Sequence, residues 1–158
     1  MNQTNQSQTK VTVIDDAGVL MEEEADWIQS VATELSEKTA WNITAVVCEG
    51  DFQLSPTENA IQCIVDINSH SASLLANGEA KDYLDSTRIE TIIEEAEKPI
   101  GQQDYTQSLY LMLLGAGKAY ESGKTNQWQP TIWLIIAAAT LCVAAIIKKF
   151  SKQNNKKK

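Results

Sequence analysis

The run Asn42–Cys48, NITAVVC, leaves this chain the least choice. It is β-branched and apolar almost throughout, without the strict alternation of a strand that has one wet face. Such a run belongs inside a sheet with cover on both sides. Around it, VTVI at 11–14 reads as a short strand, and IQCIVDI at 61–67 and SASLLA at 71–76 flank NSH as strand, tight turn and antiparallel strand. Between the first two strands, Ala25, Ile28, Val31, Ala32 and Leu35 recur at spacings of three and four, which predicts an amphipathic helix. LSPTENA reads as a turn or one helical turn.

After Gly78 the apolar period changes from that of strands to that of helices. Ile89, Ile92, Ile93, Ala96 and Ile100 share one helical face, Thr87 and Glu90 have capping-box spacing, Asp85 is a second candidate for the cap, and Pro99 marks the end. Asp104 then stands as N-cap with Gln107 three residues on, before a stripe of Leu109, Met112, Leu113, Ala116 and Tyr120. Both stripes have the spacing of core surfaces. The order β-α-β-β-β-α-α predicts an α/β fold: a small, mostly mixed sheet of about four strands with helices on both faces. The domain runs over 11–122, preceded by a polar tail at 1–10 with the composition of a disordered segment and followed by a linker at 123–130.

Residues 131–147, TIWLIIAAATLCVAAII, carry no charge. As a helix they would span about 25 Å, near the short end of what crosses a bilayer. Trp133 at one end and Lys148 and Lys149 at the other suit the two interfaces, so a single C-terminal transmembrane helix anchoring the chain in a lipid bilayer is expected. The segment 148–158 is lysine-rich and holds no acid. Its six lysines leave seven basic residues against all 21 acidic ones in 1–147, a net −14. By the positive-inside bias, the tail is expected in the cytoplasm and the acidic domain outside it. Residues 1–10 contain no apolar stretch of the signal-peptide kind, so export would use an upstream signal or another route. The acidic body argues against nucleic acid as a partner.

Several apparent motifs carry no chemistry. GKAYESGKT has five residues between Gly117 and Gly123 where a phosphate loop has four, and it ends a helix instead of opening one. His70, the only histidine, sits in a turn with no nucleophile pattern beside it. The sequon at Asn42 falls in a central strand. Cys48 and Cys63 read as small buried strand residues, and a disulfide between them would need both an oxidising compartment and suitable geometry. The acids at strand ends and before a helix are different. Asp15, Asp16, Asp66 and Asp82 could converge on one rim of the sheet as oxygen ligands for Ca²⁺ or Mg²⁺, or each could cap a helix or shape a loop.

VIDDAGVLMEEE, then WNITAVV, then IVDINSHSASLLANGEAKDYLDSTRIETIIEEAEKPIGQQDYTQSLYLMLLGAGKAY together resemble the TPM domain family over about Val11–Glu121. The last block carries most of the resemblance. Similar members have an Asp-Asp-Ala-Gly turn after the first strand and are often anchored by a C-terminal helix. The resemblance implies a membrane-tethered accessory or interaction module, acting on the assembly, repair or localisation of a membrane-protein partner, without its own catalysis. The alternative it implies is a divalent-metal-dependent phosphatase using the acidic loops. Two departures bear on that choice. The helix that usually follows the second strand is reduced to QLSPTENA, and the turn INSHS lacks the arginine that would grip a phosphate.

Overall fold

In the computed structural model, residues 10–50, 52 and 58–124 are described. Met1–Glu121 form one compact unit and Ser122–Lys158 a second; the sheet and its packing belong to the first. The elements are β1 (Val11–Asp15), α1 (Glu22–Thr39), β2 (Asn42–Cys48), β3 (Ala60–Asp66), β4 (Ser71–Asn77), a 3-10 turn (Gly78–Asp82) and α2 (Ser86–Ile100). Helix α3 follows over residues 105–124. The strands lie in the order β1-β2-β3-β4. β1, β2 and β3 run parallel and β4 returns antiparallel to β3, with Val13 beside Ala45, Ala45 beside Cys63 and Cys63 beside Leu74. The protein is thus α/β with a four-stranded mixed sheet.

Its main core stands on one side of that sheet. Ile43, Ala45 and Val47 of β2, Ile61, Cys63 and Val65 of β3, and Ala72 and Leu74 of β4 form a single cluster with side chains from all three helices. Ile28, Ala32 and Leu35 come from α1, Ile92, Ala96 and Ile100 from α2, and Leu109, Met112 and Leu113 from α3. Among the described residues the helices therefore occupy one face of the sheet instead of two. Val46 and Cys48 point to the other face and are nonetheless buried, which is why NITAVVC lacks a wet side. The sequence pattern reports burial and not what supplies it.

Local chemistry fixes the ends of the helices. Asp85 caps α2 by accepting the Arg88 N–H at 2.9 Å, so the helix starts one residue before Thr87, the cap position that the Thr87–Glu90 spacing suggests. Asp104 caps α3 as expected, accepting from Gln107 N–H at 2.9 Å. α1 ends on Ala40 in the left-handed conformation, φ 60°, its N–H donating to the Ser36 carbonyl. Trp41 enters β2 there, almost wholly buried against the rings of Tyr83 and Tyr120.

The apolar run at 131–147, with Trp133, Lys148 and Lys149, lies outside the described residues. Among those described, no helix is long and apolar enough to cross a membrane. Cys48 and Cys63 sit on opposite faces of the sheet and do not pair with each other.

Candidate functional site

The parallel run of β1, β2 and β3 brings their C-terminal ends to one rim. Asp15 and Asp66 stand there on either side of β2, Asp15 beside Val47 and Asp66 beside Cys48. Both carboxylates are engaged by their own loops. Asp15 accepts the Val19 N–H at 3.1 Å on Oδ1 and the Leu20 N–H at 2.9 Å on Oδ2. It thereby closes the turn through Gly18, whose φ of +66° suits glycine. Leu20, fixed by that turn, joins the core, and α1 begins two residues later. The Asp16 N–H extends the sheet by donating to Val47 O at 2.9 Å, while its side chain is exposed. The adjacent acids at the strand-to-helix junction thus divide the work: the first shapes the turn and the backbone of the second prolongs the ladder.

Asp66 organises the neighbouring hairpin. Its Oδ1 accepts the backbone N–H groups of Gly50 and Asn68, each at 2.9 Å, and of Ser69 at 3.4 Å. Its Oδ2 takes the Ser69 hydroxyl at 2.6 Å. The Ser69 hydroxyl, then the Gly50 N–H and the turn amides, hold this carboxyl below the usual aspartate range. Bonds that satisfy the charged form favour it, and they also tie the β2–β3 connection to the β3–β4 turn.

Asp82 does not join this rim. β4 carries the chain back to the other end of the sheet, where Asn77 pairs with Ala60, and Asp82 ends the 3-10 turn that starts there. The antiparallel hairpin expected from NSH already requires this placement, so the common rim proposed for all four acids conflicts with that hairpin. Among the described residues, no three His, Cys, Asp or Glu side chains are grouped to hold a metal ion.

A different feature lies on the helical side. α1 and α3 enclose a groove of about 360 Å³ lined by Trp27, Val31, Tyr110, Leu114 and Gly117, among others. At one end the Trp27 and Tyr110 rings stack, centroids 4.9 Å apart and 29° between planes. Trp27 keeps 43% of its surface exposed, unusual for so large an apolar side chain. At the other end Lys38 pairs with Glu121, which lowers the affinity of that carboxyl for a proton. A Cβ at Gly117 would stand 3.4 Å from Leu35 Cδ1, about van der Waals contact, so α1 and α3 are closely packed there. The sequence pointed at this groove only indirectly: Trp27 and Tyr110 both fall beside the core stripes of their helices instead of in them.

No protein-family model matches the sequence, and no curated protein matches it. Solved structures do resemble the fold. The N-terminal domain of a protein from P. gingivalis, a solution NMR structure, superposes with a TM-score of 0.60 at 15% identity, over 70% of this chain and 82% of that one. The N-terminal domain of the cg2496 protein from Corynebacterium glutamicum, also solved by NMR, gives 0.55 at 12% identity, over 75% and 84%. At such identities the likeness is one of fold.

Proposed function

We propose that this chain is a TPM-like, membrane-tethered accessory module whose α1–α3 groove grips an apolar helical segment of a membrane-protein partner. The observation that carries the reading is the stacked Trp27–Tyr110 pair, left half open to solvent above a formed groove. Exposed aromatic rings at a groove are a common source of binding energy, and a helix laid in an apolar groove is a recurring mode of recognition. The shared fold with other N-terminal domains and the TPM-like sequence blocks support it further. The reading includes an anchor helix over Thr131–Ile147, a cytoplasmic lysine tail and an extracytoplasmic domain. Protease added outside intact cells would then digest the domain and leave the tail protected; a domain protected until the cells are opened would reverse that sidedness.

The phosphatase reading has less behind it. Asp15 spends both oxygens on backbone N–H groups, Asp66 spends its own on backbone N–H groups and the Ser69 hydroxyl, and Asp82 is at the far rim. Weak binding of Ca²⁺ or Mg²⁺ near Asp15, Asp16 and Asp66 is a separate proposal, tested by thermal shift with millimolar ion. For the groove, a photo-crosslinking residue at Val31 in the anchored protein should capture a membrane protein in native membranes. Trp27→Ala should cut that capture by roughly tenfold or more, the loss expected of a hot-spot aromatic. Capture that persists unchanged in Trp27→Ala would refute the groove as the binding surface.

A further inference from the structure

We propose that the open edge of β1 recognises a second copy of this chain, which adds its own β1 antiparallel about a two-fold axis through Val13. The inference is independent of what the α1–α3 groove binds. It starts from the direction of the backbone groups. Ile43 N–H donates to Lys10 O, and Asp16 N–H donates to Val47 O, both at 2.9 Å, so the even-numbered residues of β1 face β2. Val11, Val13 and Asp15 therefore turn their N–H and C=O groups outward, where no described backbone meets them.

On the other edge the outward Ala72 N–H already has an acceptor, the Glu97 carboxylate of α2 at 3.4 Å, although Ser73 and Leu75 of β4 are exposed. Every residue of β1 is half-buried, and the strand contains no proline and no lysine to discourage pairing.

The sequence of β1 selects the occupant and the register. Antiparallel pairing through outward residues lets the axis pass an odd-numbered position, at a hydrogen-bonded pair, or an even-numbered one, at a non-hydrogen-bonded pair. At Val13, Val11 meets Asp15 of the second copy and Val13 meets Val13, so all three outward residues find outward partners. The same register sets Lys10 opposite Asp16 of the second copy, twice over, and both side chains are exposed. An axis at Val11, Thr12, Ile14 or Asp15 loses both charge pairs and leaves at least one outward residue of β1 without a β1 partner. Such pairing keeps like faces together, which brings the two α1 helices side by side over the axis. A strand-edge contact of this length buries well under the ~800 Å² per partner of a stable complex, so the association is weak and shows best by trapping.

Trapping can also read the register. In the proposed pairing Thr12 faces Ile14 of the second copy in a non-hydrogen-bonded pair, with Cα atoms about 4.5 Å apart, within disulfide range. Full-length Thr12→Cys and Ile14→Cys chains, each also carrying Cys142→Ser and a tag of different mass, are mixed and mildly oxidised. The mixed disulfide should form in preference to either homodisulfide. Lys10→Glu or Asp16→Lys in both chains should reduce it by roughly tenfold, as expected when two opposed ion pairs become like-charge pairs. Combining the two substitutions should restore it, with circular dichroism confirming an unchanged fold throughout. Homodisulfides forming as readily as the mixed species, absence of any disulfide at ~1 mM chain, or failure of the charge swap to restore pairing would each overturn the proposal; with the Kd of a weak edge contact in the micromolar range or above, ~1 mM suffices to populate it.

Discussion

Gly115→Ala sets two effects of known size against each other. Gly115 lies within α3, and a Cβ there would come within 2.7 Å of Ile92 Cγ1, 3.0 Å of Cγ2 and 3.1 Å of Cδ1. Alanine in place of a helical glycine is worth about 1 kcal/mol of backbone propensity. Against this, an extra methyl forced into a packed contact costs typically ~1–3 kcal/mol. Ile92 is poorly placed to yield. Two branches at its Cβ mean that a χ1 rotation moves one γ carbon into the place of the other, and the side chain is only 8% exposed. The cost therefore falls near the upper end, and the net effect is a loss of ~2 kcal/mol. For a domain of this size that lowers Tm by roughly 8 °C. Thermal and urea unfolding of a fragment ending at Ser122 would measure it. Ile92→Ala alone should cost ~2–4 kcal/mol for its cavity. In the Gly115→Ala background it should cost distinctly less, because the new methyl occupies part of that space. A Gly115→Ala protein as stable as the parent, or a strictly additive double variant, would refute a close approach of α2 and α3 at this position.

Other expectations follow from the rims and the core. Gly78→Ala should destabilise by ~3 kcal/mol or more in urea unfolding, since φ is +61° and the added Cβ would stand 2.7 Å from the backbone nitrogen of Asn59. The contribution of Asp66 should be present above pH ~4 and be lost as pH falls through its lowered folded value, so Asp66→Asn should flatten acid unfolding in that window. Burial pushes the Cys63 thiol up to about 12. It favours the fold below the ordinary thiol range and loses that contribution as pH rises from ~9 towards the folded value, and in the native protein at pH 8 Cys63 should resist alkylating reagents until urea is added.

The kinds of element were legible in the sequence because they depend on local periodicity. β-branched runs gave strands at 42–48 and 61–66, three-and-four spacing gave the helices, and Asp104 with Gln107 gave a cap that is present at 2.9 Å. The acids at the end of β1 were open in the sequence between a cation site and a loop-shaping role; in the fold Asp15 closes the turn through Gly18 with both its oxygens. Tertiary structure decided the rest. Whether Val46 is covered by a helix or by something else is invisible to a pattern that records only apolarity. Of the two candidate caps, Asp85 takes the role and Thr87, two residues on, falls inside the helix, because the Asp85 carboxylate reaches the Arg88 N–H. The groove exists because α1 and α3, far apart in the chain, pack side by side, with Trp27 and Tyr110 stacked across the contact. Asp66 and Asp82, read alike as strand-end and helix-start acids, part company because β4 reverses the chain between them. Sequence spacing is a distance along the chain; a site is a distance through space, and one antiparallel turn carries two similar residues to opposite ends of a sheet.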